Sequence, residues 1–142
     1  MQVTFLGTGT SQDIPVIGCH CDVCSSPHSE DKRLRAAAFT EYRGLRLLID
    51  AGPDFRQQLL RKHIDQVDAI LLTHQHKDHT AGLDDVRAFN HITGRPIDIY
   101  AEPMVQAALI PYIPHPSHPR FSMELIKPQM PQKQNASQHT KG

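Results

Sequence analysis

The feature that most constrains this chain is a cluster of ligating side chains at the end of a short apolar run. Ala69-Ile70-Leu71-Leu72 leads directly into Thr73-His74-Gln75-His76-Lys77-Asp78-His79, which places four imidazole or carboxylate side chains within six residues. Imidazole nitrogen and carboxylate oxygen are the donors that a catalytic zinc takes. In a helix His74 and His76 would point about 200° apart, a poor arrangement for one ion. In a turn leaving a strand, alternate side chains can face the same way. The spacing therefore predicts a buried strand ending in a metal-binding turn. His74 and His76 would share one ion, and Asp78 and His79 would reach a neighbouring point as the chain curls into a helix. Two-metal sites hold their ions roughly 3.5–4 Å apart and clamp the attacking and leaving oxygens of a displacement.

The surrounding pattern predicts strands and helices in alternation. Gln2–Leu6 alternates apolar and polar residues and reads as a strand, broken by Gly7-Thr8-Gly9-Thr10-Ser11. Ala36–Tyr42 and Leu45–Ile49 read as a hairpin turning at Arg43-Gly44. Pro53-Asp54 opens a helix whose apolar side is Phe55, Leu59, Leu60 and His63 or Ile64. Asp68–Thr73 is the strand that delivers the ligand cluster. A helix follows through Leu83, Val86 and Phe89, with Asp84 and Asp85 placed to favour its positive end or to hydrogen-bond a ligating histidine. Ile97–Tyr100 is a further strand, and Pro103–Leu109 a short helix with proline at its start. Asp31-Lys32-Arg33-Leu34-Arg35 reads as a charged, exposed connection. Six of the 11 prolines fall at or after position 111, and the last residues are polar. The expected organisation is one layered α/β domain over residues 1–110 and an irregular, polar tail over 111–142.

Cys19, Cys21 and Cys24 form a second cluster. Three thiolates at this spacing can wrap one tetrahedral zinc, and so closed a sulfur shell would be structural, with no open position for substrate. A fourth ligand is then required, and His20 and His28 are the local candidates; the alternative is three reduced, metal-free cysteines. The formal net charge is zero, which gives no bulk attraction for a polyanion. No apolar run reaches the roughly 18 residues of a membrane span, and Met1-Gln2-Val3-Thr4-Phe5 lacks the basic and apolar regions of a secretory signal. A cytoplasmic chain is expected, with no membrane partner.

His74-x-His76-x-Asp78-His79 after a buried strand resembles the metallo-β-lactamase superfamily of metal-dependent hydrolases. The continuation Thr80-Ala81-Gly82-Leu83-Asp84-Asp85-Val86-Arg87 is similar to its phosphodiesterase branch. So is Phe5-Leu6-Gly7-Thr8-Gly9-Thr10-Ser11 followed by Pro15 and Gly18-Cys19-His20-Cys21-Asp22-Val23-Cys24. Together these motifs look like the PhnP-type phosphoribosyl cyclic phosphodiesterases, over roughly residues 1–110.

The resemblance implies the N-terminal half of an αβ/βα sandwich, a mixed β-sheet with flanking helices. It implies two catalytic zinc ions, or manganese in their place, on His74, His76, Asp78 and His79, with Asp78 the catalytic carboxylate. It also implies one structural zinc on Cys19, Cys21 and Cys24, its fourth ligand a distant histidine. Asp50 would support the histidine-rich loop through hydrogen bonds without touching metal. A small phosphodiester, such as a cyclic ribose phosphate, would be hydrolysed by a metal-activated hydroxide.

Relatives usually carry glycine where this chain has Asp13. The family's later ligands have no counterpart after Asp98, because no aspartate follows it, and His115 and His118 sit among prolines without the family's motif. The expectation is accordingly a shortened member with little turnover by itself. Its uncovered sheet face would favour a homodimer or self-association. Two other readings are a non-catalytic zinc-binding remnant and an RNA-processing nuclease of the same superfamily, the latter disfavoured by the neutral charge.

Overall fold

The structure is a computed structural model describing residues 1–112 together with the backbone of strand Phe121–Leu125. Its frame is a six-stranded sheet whose spatial order follows the chain: β1 (Gln2–Gly7), β2 (Ala37–Tyr42), β3 (Leu45–Ile49), β4 (Ala69–Leu71), β5 (Ile97–Ala101) and β6 (Phe121–Leu125). The first three strands form an antiparallel meander, and β3 to β6 run parallel. The β2–β3 turn has two residues, Arg43 at φ 49° and Gly44 at φ 82°, the two positive angles of a type I′ hairpin. Parallel neighbours cannot be joined by a tight turn, so each pair is connected by a helical crossover. After the single turn α1 (Asp22–Ser25) between β1 and β2, the helix α2 (Phe55–Lys62) joins β3 to β4, and α3 (Lys77–Thr80) and α4 (Arg87–Thr93) join β4 to β5. Between β5 and β6 lies α5 (Pro103–Leu109), with proline at its first turn.

This order decides which face is buried. Each crossover steps to the next strand in the same direction, and crossovers share one hand. All the crossover helices therefore land on one side. Phe39, Leu48, Ile70 and Ile99 stand in register across four strands on that side. They pack with Phe55, Leu59, Val86, Phe89, Val105 and Leu109 into one buried core. On the opposite face a second row, Phe5, Ala38, Ile49, Leu71 and Tyr100, also runs in register. Among the described residues no helix covers it, and Phe5 is 69% exposed.

Three expectations are corrected. The residues after Leu83 do not form one helix: a 3-10 turn over Leu83–Val86 precedes α4. The boundary at 110 was too early, because Phe121–Leu125 pairs with β5 as the sixth strand; the rest of the predicted tail, including His115 and His118, lies outside the described residues. Arg35 is no exposed connection. Its guanidinium ion-pairs with Asp13 at 2.6 Å and with Asp54 at 3.0 Å, and all three side chains are partly buried. No helix among the described residues is long and apolar enough to cross a membrane.

The loop after β3 and the turn after β4 lie in backbone contact, and two glycines permit it. A Cβ on Gly52 would overlap the carbonyl oxygen of Asp78, and one on Gly82 would overlap the carbonyl oxygen of Gly52. Ala51 N–H donates to the His79 carbonyl at 2.8 Å, and Gly82 N–H to the Ala51 carbonyl at 2.8 Å. Gly52→Ala must push these segments apart, and overpacking of this kind costs about 1–3 kcal/mol. The urea midpoint of Gly52→Ala should fall accordingly. An unchanged midpoint would show that the two loops are not in the contact described.

Candidate metal centre

The apolar strand β4 ends at Leu71, and the chain then turns through Thr73 to His76 before α3 begins. His76 is extended at φ −64°, ψ 148°, and Lys77 starts the helix. Thr73 and Gln75 are bends, so the ligands leave β4 on an irregular turn and not on a continued strand. Ligand atoms of His74, His76 and Asp78 lie within 4.8 Å of one another. The His74 ring is 4.8 Å from that of His76 and 3.9 Å from that of His79, centroid to centroid. Asp78 Oδ2 is 3.3 Å from His79 Nε2. The four predicted ligands therefore converge. Asp78 groups with His74 and His76 within 4.8 Å, and its carboxylate also lies 3.3 Å from His79 Nε2.

Asp50 organises this cluster from beneath. It follows β3, is 5% exposed, and takes the left-handed conformation at φ 64°. Its carboxylate accepts the Thr73 backbone N–H at 2.8 Å, and lies 2.8–2.9 Å from the Thr73 hydroxyl and 2.8 Å from His79 Nδ1. An ionised carboxylate only accepts. Thr73 Oγ1 must therefore donate its single proton to Asp50, and His79 Nδ1 must carry a proton. The Thr73 oxygen, its proton committed, accepts from His74 Nδ1 at 2.9 Å. One buried carboxylate thus sets a proton on Nδ1 of both imidazoles, and in their neutral form each offers its Nε2 to a metal.

The donor set fits a divalent cation. With His79 in its neutral Nδ1–H form, its Nε2 and Asp78 Oδ2 are both acceptors facing each other at 3.3 Å. Two donors bonded at about 2.0–2.2 Å to one tetrahedral zinc stand at about that separation. A cation between them converts a repulsion into two bonds. Neither Asp84 nor Asp85 touches a histidine of the cluster among the described residues. Asp85 instead lines an apolar groove of about 290 Å³ between α2 and α4.

The thiol atoms of Cys19, Cys21 and Cys24 also lie within 4.8 Å of one another. The Val16 N–H reaches Cys24 Sγ at 3.4 Å. The Cys24 backbone N–H, and then the neighbouring thiols, hold the Cys21 thiol below its usual pKa. At Cys24 the Val16 N–H pulls the pKa down, but the Cys19 thiol, burial and Cys21 outweigh it and the net shift is upward. Sharing of protons among three close thiols is expected of a cluster whose charges a cation would neutralise. Neither His20 nor His28 joins this cluster.

A mixed sheet with ligands gathered at the end of an inner parallel strand defines a metal-dependent hydrolase scaffold. The model of the β-lactamase superfamily domain matches residues 45–138, and the chain belongs to that superfamily of metal-dependent hydrolases. A diphosphatase of the PhnP family has a solved structure that superposes with a TM-score of 0.80 at 42% identity, covering 88% of this chain and 50% of that one. Zinc-bound PqqB from Methylobacterium extorquens superposes with a TM-score of 0.72 at 26% identity, over 89% of this chain and 46% of that one. A Porphyromonas gingivalis protein named octanoyltransferase is 42% identical over 139 residues, which is 92% of this chain but 28% of that protein. The chain thus spans half or less of each of these relatives.

Outer hydrogen-bond partners of metal ligands typically contribute 10–100-fold to affinity. Asp50→Asn and Thr73→Val should each weaken zinc binding at the histidine cluster by a factor in that range, read by competition with a chromophoric chelator. Unaltered affinity in both variants would show that the carboxylate does not govern the imidazoles. Replacing Cys19, Cys21 and Cys24 together by Ser should remove one zinc per chain by elemental analysis, leaving the remaining stoichiometry intact.

Proposed function

We propose that this chain supplies the histidine–aspartate half of a centre that hydrolyses a phosphodiester or phosphoric anhydride linkage in a small, ribose phosphate-like molecule. The observation that carries the reading is the convergence of His74, His76, Asp78 and His79 with two Nε2 atoms fixed by Asp50. Similarity to a PhnP-family diphosphatase supports a phosphorus centre as the target, and zinc in a PqqB structure supports the metal. Manganese is the alternative ion.

Bound divalent ions would supply positive charge for the leaving oxygen and lower the pKa of water towards neutrality. The protein's own part is orientation and proton handling. Asp50 prevents the His74 and His79 rings from turning and keeps protons on their Nδ1 atoms. Asp78 has a carboxylate at the centre of the cluster and is the group placed to accept a proton from an attacking water. The linkage is either a phosphodiester, the branch suggested by the sequence motifs, or a diphosphate, the bond named by the structural relative. Both present a phosphorus with anionic oxygens to the same donor set.

Hydrolysis of a bis-nitrophenyl phosphodiester and of a dinucleoside diphosphate, with zinc or manganese added, tests the reading. The expected result is turnover that requires metal and falls by on the order of 10²-fold in His76→Ala and Asp78→Ala, because a misplacement of about 1 Å has that effect. The 142-residue chain alone should stay well below the ordinary enzyme turnover of about 10 s⁻¹, and a chain extended to the length of its relatives should exceed it. Hydrolysis indifferent to metal, or undiminished in both variants, would overturn the assignment.

A further inference from the structure

Arg35 joins three segments that are distant in sequence. Its Nη1 donates to Asp13 Oδ2 at 2.6 Å and to Asp54 Oδ1 at 3.0 Å. Its Nε donates to the Ser11 carbonyl at 2.8 Å, and its backbone N–H to Asp54 Oδ2 at 2.8 Å. Its own carbonyl accepts from Gln58 Nε2 at 2.8 Å. So many directed bonds on one guanidinium and its peptide require the planar fork of arginine, which lysine cannot reproduce.

Each carboxylate partner leads to a different cluster. From Asp13 the chain continues to Ile14, which exchanges two backbone bonds with Arg33 at 2.9 and 3.0 Å. It then reaches Val16, whose N–H meets Cys24 Sγ and whose carbonyl accepts the Cys19 N–H at 3.0 Å. From Asp54 the chain leads back through Gly52, seated against the Asp78 carbonyl, to Asp50, which holds Thr73 and His79. The thiol cluster and the histidine cluster are thus linked through one side chain.

The Asp13 side of this link is held at a cost. Asp13 is in the left-handed region at φ 62°, and among the described residues its Oδ1 is buried with only the Asp54 carboxylate beside it. Burial, and then the Asp54 carboxylate beside it, push the Asp13 carboxyl above its usual pKa despite the guanidinium. A residue in a sparsely populated conformation persists only where its surroundings hold it there. Releasing the loop at its cysteine end removes part of that hold.

We propose that Arg35 is a positioning residue that couples the Cys19–Cys21–Cys24 cluster to the His74–His76–Asp78–His79 centre, so that metal in the first strengthens metal binding in the second. The inference rests on the reading above that both clusters take metal. Coupling of this kind is reciprocal, and its usual range is about 5–150-fold.

Cobalt titration of the histidine centre, with the thiol cluster either zinc-loaded or removed by the triple Cys→Ser change, measures it. In the wild-type chain, loss of the cluster should weaken cobalt binding at the centre about tenfold, within that range. In Arg35→Lys, affinity should already be at the lower level, and adding the triple change should weaken it no further. Asp13→Ala removes the loop-side acceptor while sparing the Arg35–Asp54 pair. It should give the same non-additive pattern, which keeps the test valid if Arg35→Lys does not fold. Additive losses, or undiminished affinity in a folded Arg35 or Asp13 variant, would overturn the coupling while leaving the proposed function standing. A wild-type centre that takes no cobalt would overturn both.

Discussion

The site depends on one buried carboxylate. Asp50 sits at the end of β3 in a left-handed conformation, 5% exposed. Its ionised oxygens can only accept, and from that constraint the protonation of the neighbouring groups follows. Thr73 donates to it, His74 therefore donates to Thr73, and His79 donates to it directly. Without Asp50, either imidazole could turn or change tautomer, and the ligands would be present without being aimed. A buried charge without partners would be costly; here three donors meet it, one from the backbone and two from side chains.

The sheet topology explains why Asp50 and the histidines meet. Parallel neighbours β3 and β4 end at the same edge, so the residues that follow them share one rim. The Asp50 N–H bonds the Leu71 carbonyl at 2.9 Å, which continues the ladder into the site. The same order of crossovers places all the crossover helices on one face and leaves Phe5, Ile49, Leu71 and Tyr100 on the other. Parallel sheets are ordinarily covered on both faces. Among the described residues Ala38, Ile49, Leu71 and Tyr100 on that face are partly buried and Phe5 is exposed.

Much of this was legible in the sequence because the decisive signals are local. Four ligands within six residues after an apolar run placed the cluster at a strand end, alternation in Gln2–Leu6 marked a strand and Arg43-Gly44 a hairpin turn, while the pairing of β1 with β2 had no local signal. The missed sixth strand also had a local signal, since Phe121-Ser122-Met123-Glu124-Leu125 alternates apolar and polar residues; the prolines before it drew attention away. Arg35 could not be read in advance. Within Lys32-Arg33-Leu34-Arg35 nothing distinguishes the arginine that turns inward, because its partners Asp13 and Asp54 are 22 and 19 residues away. Likewise the tautomer relay through Thr73 needs distances that no spacing contains.

The central claim is that Asp50 fixes both imidazoles with protons on Nδ1 and bare Nε2 atoms turned to the metal. Long-range proton–nitrogen NMR of the histidine side chains tests it most directly. The account predicts that His74 and His79 carry a proton on Nδ1 in the metal-free protein, and that added zinc shifts their Nε2 resonances while Nδ1 keeps its proton. Nε2–H tautomers at these two residues, or zinc-induced shifts confined to Nδ1, would contradict it.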